Sequence, residues 1–175
     1  MDNLIEFARA VLSTTPARWK DLTEKVPVEL LTRPPRPKEW SALQCLEHLI
    51  ETEQLVFPVR LRAFLEGSRI ADFDPDHAQK RARGSSPRGL ASRFAADRAD
   101  NLKLLDKITP KDLTLSSAHS ALGTVTLGEM LHEWAGHDLM HTVQAERAIM
   151  QPFIAGTGPW RGTFADHDVE PKGKG

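Results

Sequence analysis

Two histidines four residues apart, His137 and His141, are the residues of this chain best placed to do chemistry. At about 100° per residue, positions four apart share one helix face. Met130 and Trp134 precede the pair on that face, and Gln144 and Ala148 follow. The face is therefore the apolar, inward one. Two imidazoles side by side in a core carry a desolvation cost that hydrogen bonds or a metal ion must relieve. Spacing alone leaves both solutions open. A third ligand has to come from another helix, and His48, beside Cys45 and Leu49, is the best candidate. Three imidazoles around one divalent cation leave positions open for water or substrate, as in reactive rather than structural sites.

Several neighbours qualify this reading. His132-Glu133-Trp134-Ala135-Gly136-His137 looks like a zincin HExxH motif with one residue too many. The extra residue turns the second ring about 140° away, so the motif fails and His132 is expected at the exposed edge. Glu51, one turn after His48, is a candidate general base or ligand-orienting group. The plainer expectation for it is a solvated carboxylate, since the same helix carries Glu47 and Glu53. Gln144 is positioned to hold a water or a substrate oxygen, or else to be a satisfied polar residue at the bundle edge. Cys45 is expected as a small core hydrophobe rather than a fourth ligand. Asp138 falls about 100° off the ligand face and is expected at the surface or in an interhelical contact. Trp134 is expected in the core, where it also has the option of walling a pocket at the metal. His77, His119 and His167 fall in polar loops or the tail. A di-iron site would need two Glu-x-x-His motifs and two further glutamates. Only Glu129-x-x-His132 has that spacing, on a different face from His137, so this reading is rejected.

The elements that must carry these residues are helical. Leu4, Phe7, Ala8, Val11 and Leu12 open a pattern reaching about Val26, with a kink or restart at Thr15-Pro16. The joint from Leu31 to Pro37, with three prolines, is expected to be non-helical. Ser41 and Gln44 form a capping box with Trp40 as staple, starting a second helix that ends at Gly67 and kinks near Pro58. Residues 68–85 read as a long loop. Ser86-Pro87 opens a third helix, which Thr109-Pro110 ends. Residues 113–125 read as a loop or a short hairpin. Thr126 and Glu129 form a second capping box, opening a fourth helix to about Met150, with Pro152 just beyond.

Trp40-Ser-Ala-Leu-Gln-Cys-Leu-Glu-His48-Leu, with Glu51, resembles the second-helix motif of the DinB-like superfamily. The run His137-x-x-x-His141-x-x-Gln144 resembles its fourth-helix motif. The resemblance implies an all-α four-helix bundle of the DinB-like type over residues 1–152, with 153–175 as a loosely packed tail. It also implies a divalent metal on His48, His137 and His141, Zn first, with Ni, Fe or Mn as alternatives. A low-molecular-weight thiol cofactor, a small-molecule substrate and a homodimer are further implications. Some members transfer thiols or isomerise maleylpyruvate; others are called hydrolases. If a thiol is used, basic residues must bind its carboxylates, with Arg60 and Arg62 as nearby candidates. The alternative is a non-catalytic metal-binding bundle for binding, sensing or dimer formation.

The whole chain fits this class. Its 175 residues suit one domain with one substantial core. A net charge of −1 and the absence of tyrosine give no basis for nucleic acid or an anionic membrane as partner. One cysteine excludes an intrachain disulfide and suits a reducing compartment. With no signal-like start and no long apolar run, a cytoplasmic protein is expected.

Overall fold

The computed structural model describes residues 3–70 and 85–169. Its frame is a four-helix bundle made of α1 (Leu4–Lys25), α3 (Ala42–Leu55), α5 (Pro87–Leu105) and α6 (Leu127–Gly156). Two shorter helices, α2 (Val28–Thr32) and α4 (Phe57–Glu66), flank α3. A turn at Pro110–Thr114 leads into a hairpin of β1 (Ser116–His119) and β2 (Gly123–Thr126), paired antiparallel with Ser116 opposite Thr126. The hairpin is one of the two forms the sequence left open for this segment.

Both capping boxes form. The Gln44 amide donates to Ser41 Oγ at 3.4 Å, and Ser41 N–H donates to Gln44 Oε1 at 2.9 Å. At α6, Glu129 N–H donates to Thr126 Oγ1 at 3.2 Å, and Thr126 N–H to Glu129 Oε2 at 2.7 Å. Each box satisfies orphan amide donors and thereby fixes where its helix begins. The rotational phase of His48 and of the His137–His141 pair follows from those starting points.

The prolines act differently from the expectation in two places. Pro16 is not one of them: it lies within a continuous α1, which leaves out the restart and not the kink. Pro152 lies within α6, which continues to Gly156 rather than stopping near Met150. The turn after it buries Ile154, and that burial offsets the lost backbone hydrogen bond. The second helix does not merely kink: it breaks at Val56, and Pro58 sits in the first turn of α4, where no amide donor is needed. Leu31 and Thr32, assigned to the joint, instead end the short helix α2, and Arg33, ahead of Pro34, is the first extended residue. Gly67 ends α4 in the left-handed conformation, as its position suggested. Pro75, His77 and Gly84 lie outside the described residues.

Helix directions follow from specific contacts. Arg9 pairs with Asp106 and Arg88 reaches the Glu24 carbonyl, so α1 and α5 are antiparallel. Leu4 lies near Gly128 and Arg18 pairs with Glu146 at 2.5 Å, so α1 and α6 are parallel. His48 meets His137 while Glu53 meets Trp134, so α3 and α6 are antiparallel. It follows that α3 and α5 are parallel. An up-down-up-down bundle would set every neighbour antiparallel. Here α1 and α3 each pack against both α5 and α6.

At the centre of the bundle lies a guanidinium. Arg98 on α5 donates to Asp138 of α6 at 2.6 Å and 3.3 Å, and to Glu53 of α3 at 3.0 Å. It also donates to the Leu12 carbonyl at 2.6 Å and to Thr15 Oγ1 at 3.1 Å on α1. Its Nε is 3.0 Å from Glu53 Oε2, inside ion-pair range but without hydrogen-bond geometry. Asn101 Nδ2 and Trp134 Nε1 complete the shell of Glu53 at 2.9 Å and 2.8 Å. Burial works against the Arg98 charge, but the carboxylates of Glu53 and Asp138 outweigh it and raise its pKa. Glu53, expected on the solvated face, is thus a core residue. Asp138 is the interhelical contact of its two expected alternatives.

Replacing Arg98 with Met leaves two buried carboxylates facing each other without a counter-ion. The expected loss is about 3–5 kcal/mol of folding stability, read from chemical denaturation. A loss below about 1 kcal/mol would show that the network does not hold the four helices together.

Candidate metal centre

His48 comes from the middle of α3 and His137 and His141 from adjacent turns of α6. Because the two helices run antiparallel in contact, three rings converge. Their centroids lie 4.4–5.1 Å apart, and one nitrogen from each falls within 4.8 Å of the others. His48 Nε2 and His137 Nε2 are 3.1 Å apart. Two nitrogens at tetrahedral angles on one zinc, each about 2.0–2.1 Å from it, would be about 3.3 Å apart.

Hydrogen bonding points the same nitrogens inward. His141 Nδ1 lies 2.8 Å from Gln144 Oε1. The amide oxygen only accepts, so Nδ1 carries the proton and Nε2 is the free lone pair. His137 Nδ1 is buried with no hydrogen-bond partner, so the contact with His48 cannot satisfy both of its nitrogens. A cation fits these rings: it accepts Nε2 lone pairs that would otherwise face each other.

Electrostatics keeps the rings neutral. Burial pushes His48 down to about 4, helped by His141. Burial also pushes His137 down to about 3, with His141, His48, Arg60 and Arg98 adding to the effect. His141 is lowered by burial, against the hydrogen bond to Gln144 and the charge of Asp138. Neutral imidazole is the form that binds metal.

Aromatic rings wall the cluster. Trp40 stacks on His141 at 5.6 Å and tilts against His48 at 4.9 Å. Phe57 meets His137 edge-on at 5.6 Å and stacks on Trp134 at 5.0 Å. Trp134 is fully buried, as its place on the stripe predicted.

Glu51 differs from its plainer expectation. It is buried, and its Oε2 lies 3.9 Å from His48 Nδ1. Burial and the nearby Glu47 carboxylate push it up to about 7. Cys45 is fully buried and its thiol is pushed up to about 12 by burial, which leaves it a neutral core group. His132 is exposed. His119 is buried on β1, beside a separate small cavity of about 110 Å³ that Arg60 and Glu133 also line. His167 is exposed in the C-terminal segment.

A cleft of about 660 Å³ opens onto the cluster at His141 and Gln144. Its walls are the loop before α3, with Lys38, Glu39 and Trp40, and α6, with Met140, Val143 and Arg147. Arg60 and Arg62 do not line it. Lys38 and Arg147 were missed in the sequence: Lys38 lies in the proline-rich joint before α3, where no helical periodicity assigns it a face, and Arg147, six residues past His141, was the traceable one.

With this geometry in view, the comparisons with known proteins give one consistent result. Residues 12–145 match the model of the DinB superfamily, and the chain belongs to that superfamily. Among solved structures it is similar to YfiT from Bacillus subtilis, with a TM-score of 0.70 and 18% identity, covering 82% of this chain and 85% of that one. That protein is described as a probable metal-dependent hydrolase with an unusual four-helix bundle topology. No curated protein matches the chain in sequence.

The lowered histidine values have a consequence for the metal-free protein. His48 and His137 titrate at about 4 and about 3 when folded, against about 6.5 unfolded. Between those values the unfolded chain binds protons that the folded chain refuses. Stability from these rings is full above about pH 6.5 and is lost as pH falls towards 4 and 3. The denaturation midpoint of chelator-treated protein is therefore expected to drop between about pH 7 and about pH 5. The drop should be smaller in His137→Phe, and equal drops in both proteins would contradict the assignment.

Proposed function

We propose that this protein is a metal-dependent enzyme with a mononuclear site on His48, His137 and His141, acting in hydrolysis or thiol transfer. The observation that carries the reading is a three-imidazole cluster with one member, His141, lining an open cleft of about 660 Å³. A cleft of that size suits a small molecule. When bound, a divalent metal supplies Lewis acidity, lowering the pKa of a water or thiol and polarising an electrophile. Three imidazoles suit several divalent metals alike; the family resemblance puts Zn first, with Ni, Fe or Mn as alternatives.

The chain's own residues do the rest. Gln144 holds the His141 ring through its Nδ1 proton and offers its amide N–H₂ to the cleft, so it is a positioning residue. Glu51, with a carboxyl near 7, accepts and returns a proton around neutral pH. It stands beside His48 Nδ1, where a small side-chain rotation would also let it orient that ring. Trp40 and Phe57 exclude water from two sides of the cluster.

The second reading, a non-catalytic bundle stiffened by metal, calls for a closed site with a fourth protein ligand. Among the described residues the cluster contains three histidines and no fourth ligand, and Cys45 is not part of it. This favours chemistry over a purely structural ion.

Metal content is the deciding measurement, on protein purified without a histidine tag. About one equivalent is expected in the wild type and far less in His141→Ala. No metal in the wild type after incubation with Zn, Ni or Mn would remove the basis of this function. Given metal, Glu51→Gln should retain the ion and lower kcat about 10²–10⁴-fold on whichever hydrolytic or thiol-transfer substrate turns over.

A further inference from the structure

The cleft beside the histidine cluster carries charges that the reading above does not use. Its charged lining consists of Lys38, Glu39 and Arg147. Glu39 already has a cation, Arg36, at 3.9 Å. Glu146, next to Arg147, is paired with Arg18. The Arg147 Nε–H donates to the carbonyl of His167 at 3.0 Å, a neutral partner, and among the described residues no carboxylate pairs with its guanidinium. Two cations therefore face the cleft, one from each wall: Lys38 from the loop before α3, and Arg147 from α6.

Lys38 has a further peculiarity. Among the described residues it is the one non-glycine with a left-handed backbone, at φ 72°. Such a conformation is strained for a lysine and persists only where the surroundings impose it. The same loop continues directly into Trp40, which stacks on His141. The strained residue is thus fixed to the wall of the metal cluster.

The same cleft also has apolar lining, from Trp40, Met140 and Val143. Arg147 lies six residues beyond His141, about 9 Å along the helix axis. We propose that the cleft takes a small molecule with an apolar body and one anionic group, a carboxylate or phosphate, held by Lys38 and Arg147 while its other end reaches the histidines. This deepens the proposed function by naming a substrate class for the same site. The anion contact itself does not require the metal.

Calorimetric titration of metal-free and zinc-incubated protein with hexanoate, hexyl phosphate and the neutral hexanamide tests it. At least one anion should bind metal-free protein about tenfold or more tighter than hexanamide, the yield of one charge-assisted hydrogen bond. The tighter of the two anions identifies the group recognised. Lys38→Gly should remove most of that preference without lowering Tm, because glycine relaxes the backbone at this position. Lys38→Arg should keep the preference. Equal binding of hexanamide and both anions would overturn the proposal. So would anion binding that appears only with zinc, or a preference unchanged in both Lys38→Gly and Arg147→Met. Failure of the protein to bind zinc, with Lys38-dependent anion binding intact, would sink the metal reading and leave this one standing.

Discussion

A single buried cation organises this bundle. Arg98 is almost fully enclosed, and its two terminal nitrogens donate to groups from α1, α3 and α6 while its backbone belongs to α5. A guanidinium cannot shed its proton to escape burial, as a lysine or histidine does. The fold must supply carboxylates, and it supplies two, Glu53 and Asp138, in addition to a backbone carbonyl and a hydroxyl. Apolar packing tolerates small slides between helices; a forked donor set with fixed angles does not. The network therefore sets the register of α3 against α6, and that register is what brings His48 opposite His137.

The two buried polar systems are adjacent and opposite in character. Asp138 follows His137 in the chain, and Glu53 lies five residues after His48. One set of side chains on these helices is charged and internally paired; the other is neutral and left with inward lone pairs. Burial pushes the imidazoles towards neutrality, and the Arg98 charge adds to that at His137. Neutral imidazoles in a low-dielectric wall of Trp40 and Phe57 are prepared for a cation before one arrives. The Arg98 network makes that arrangement rigid, so the three rings converge without an ion to assemble them.

The helix order also decides where the cluster opens. With α3 and α6 antiparallel, the loop entering α3 lies beside the middle of α6, and Trp40 reaches His141. The cleft forms between that loop and α6. The segment beyond α6 is fastened at the same place, through the His167 carbonyl held by Arg147 and Gln151.

Much of this was legible in the residues. Both capping boxes located helix starts, because they are local reciprocal hydrogen bonds between positions three apart. The four-residue spacing of His137 and His141 fixed a shared face, and the extra residue after His132 excluded that histidine from it. The Arg98 network had a visible trace: Leu90, Phe94, Arg98, Asn101 and Leu105 lie on one buried stripe of α5. A charge on an apolar stripe signals a buried partner without naming it. Which carboxylate would answer depended on packing, so Glu53 and Glu51 were assigned to solvent although both are buried. The prolines misled for a related reason. Their cost is local, but whether a helix continues through them depends on what the next turn buries, as Ile154 does after Pro152. Lys38 and Arg147 belong to the same class. They are distant in sequence, and only the tertiary structure, by laying a proline-rich loop against one helix, set them on facing walls of one cleft.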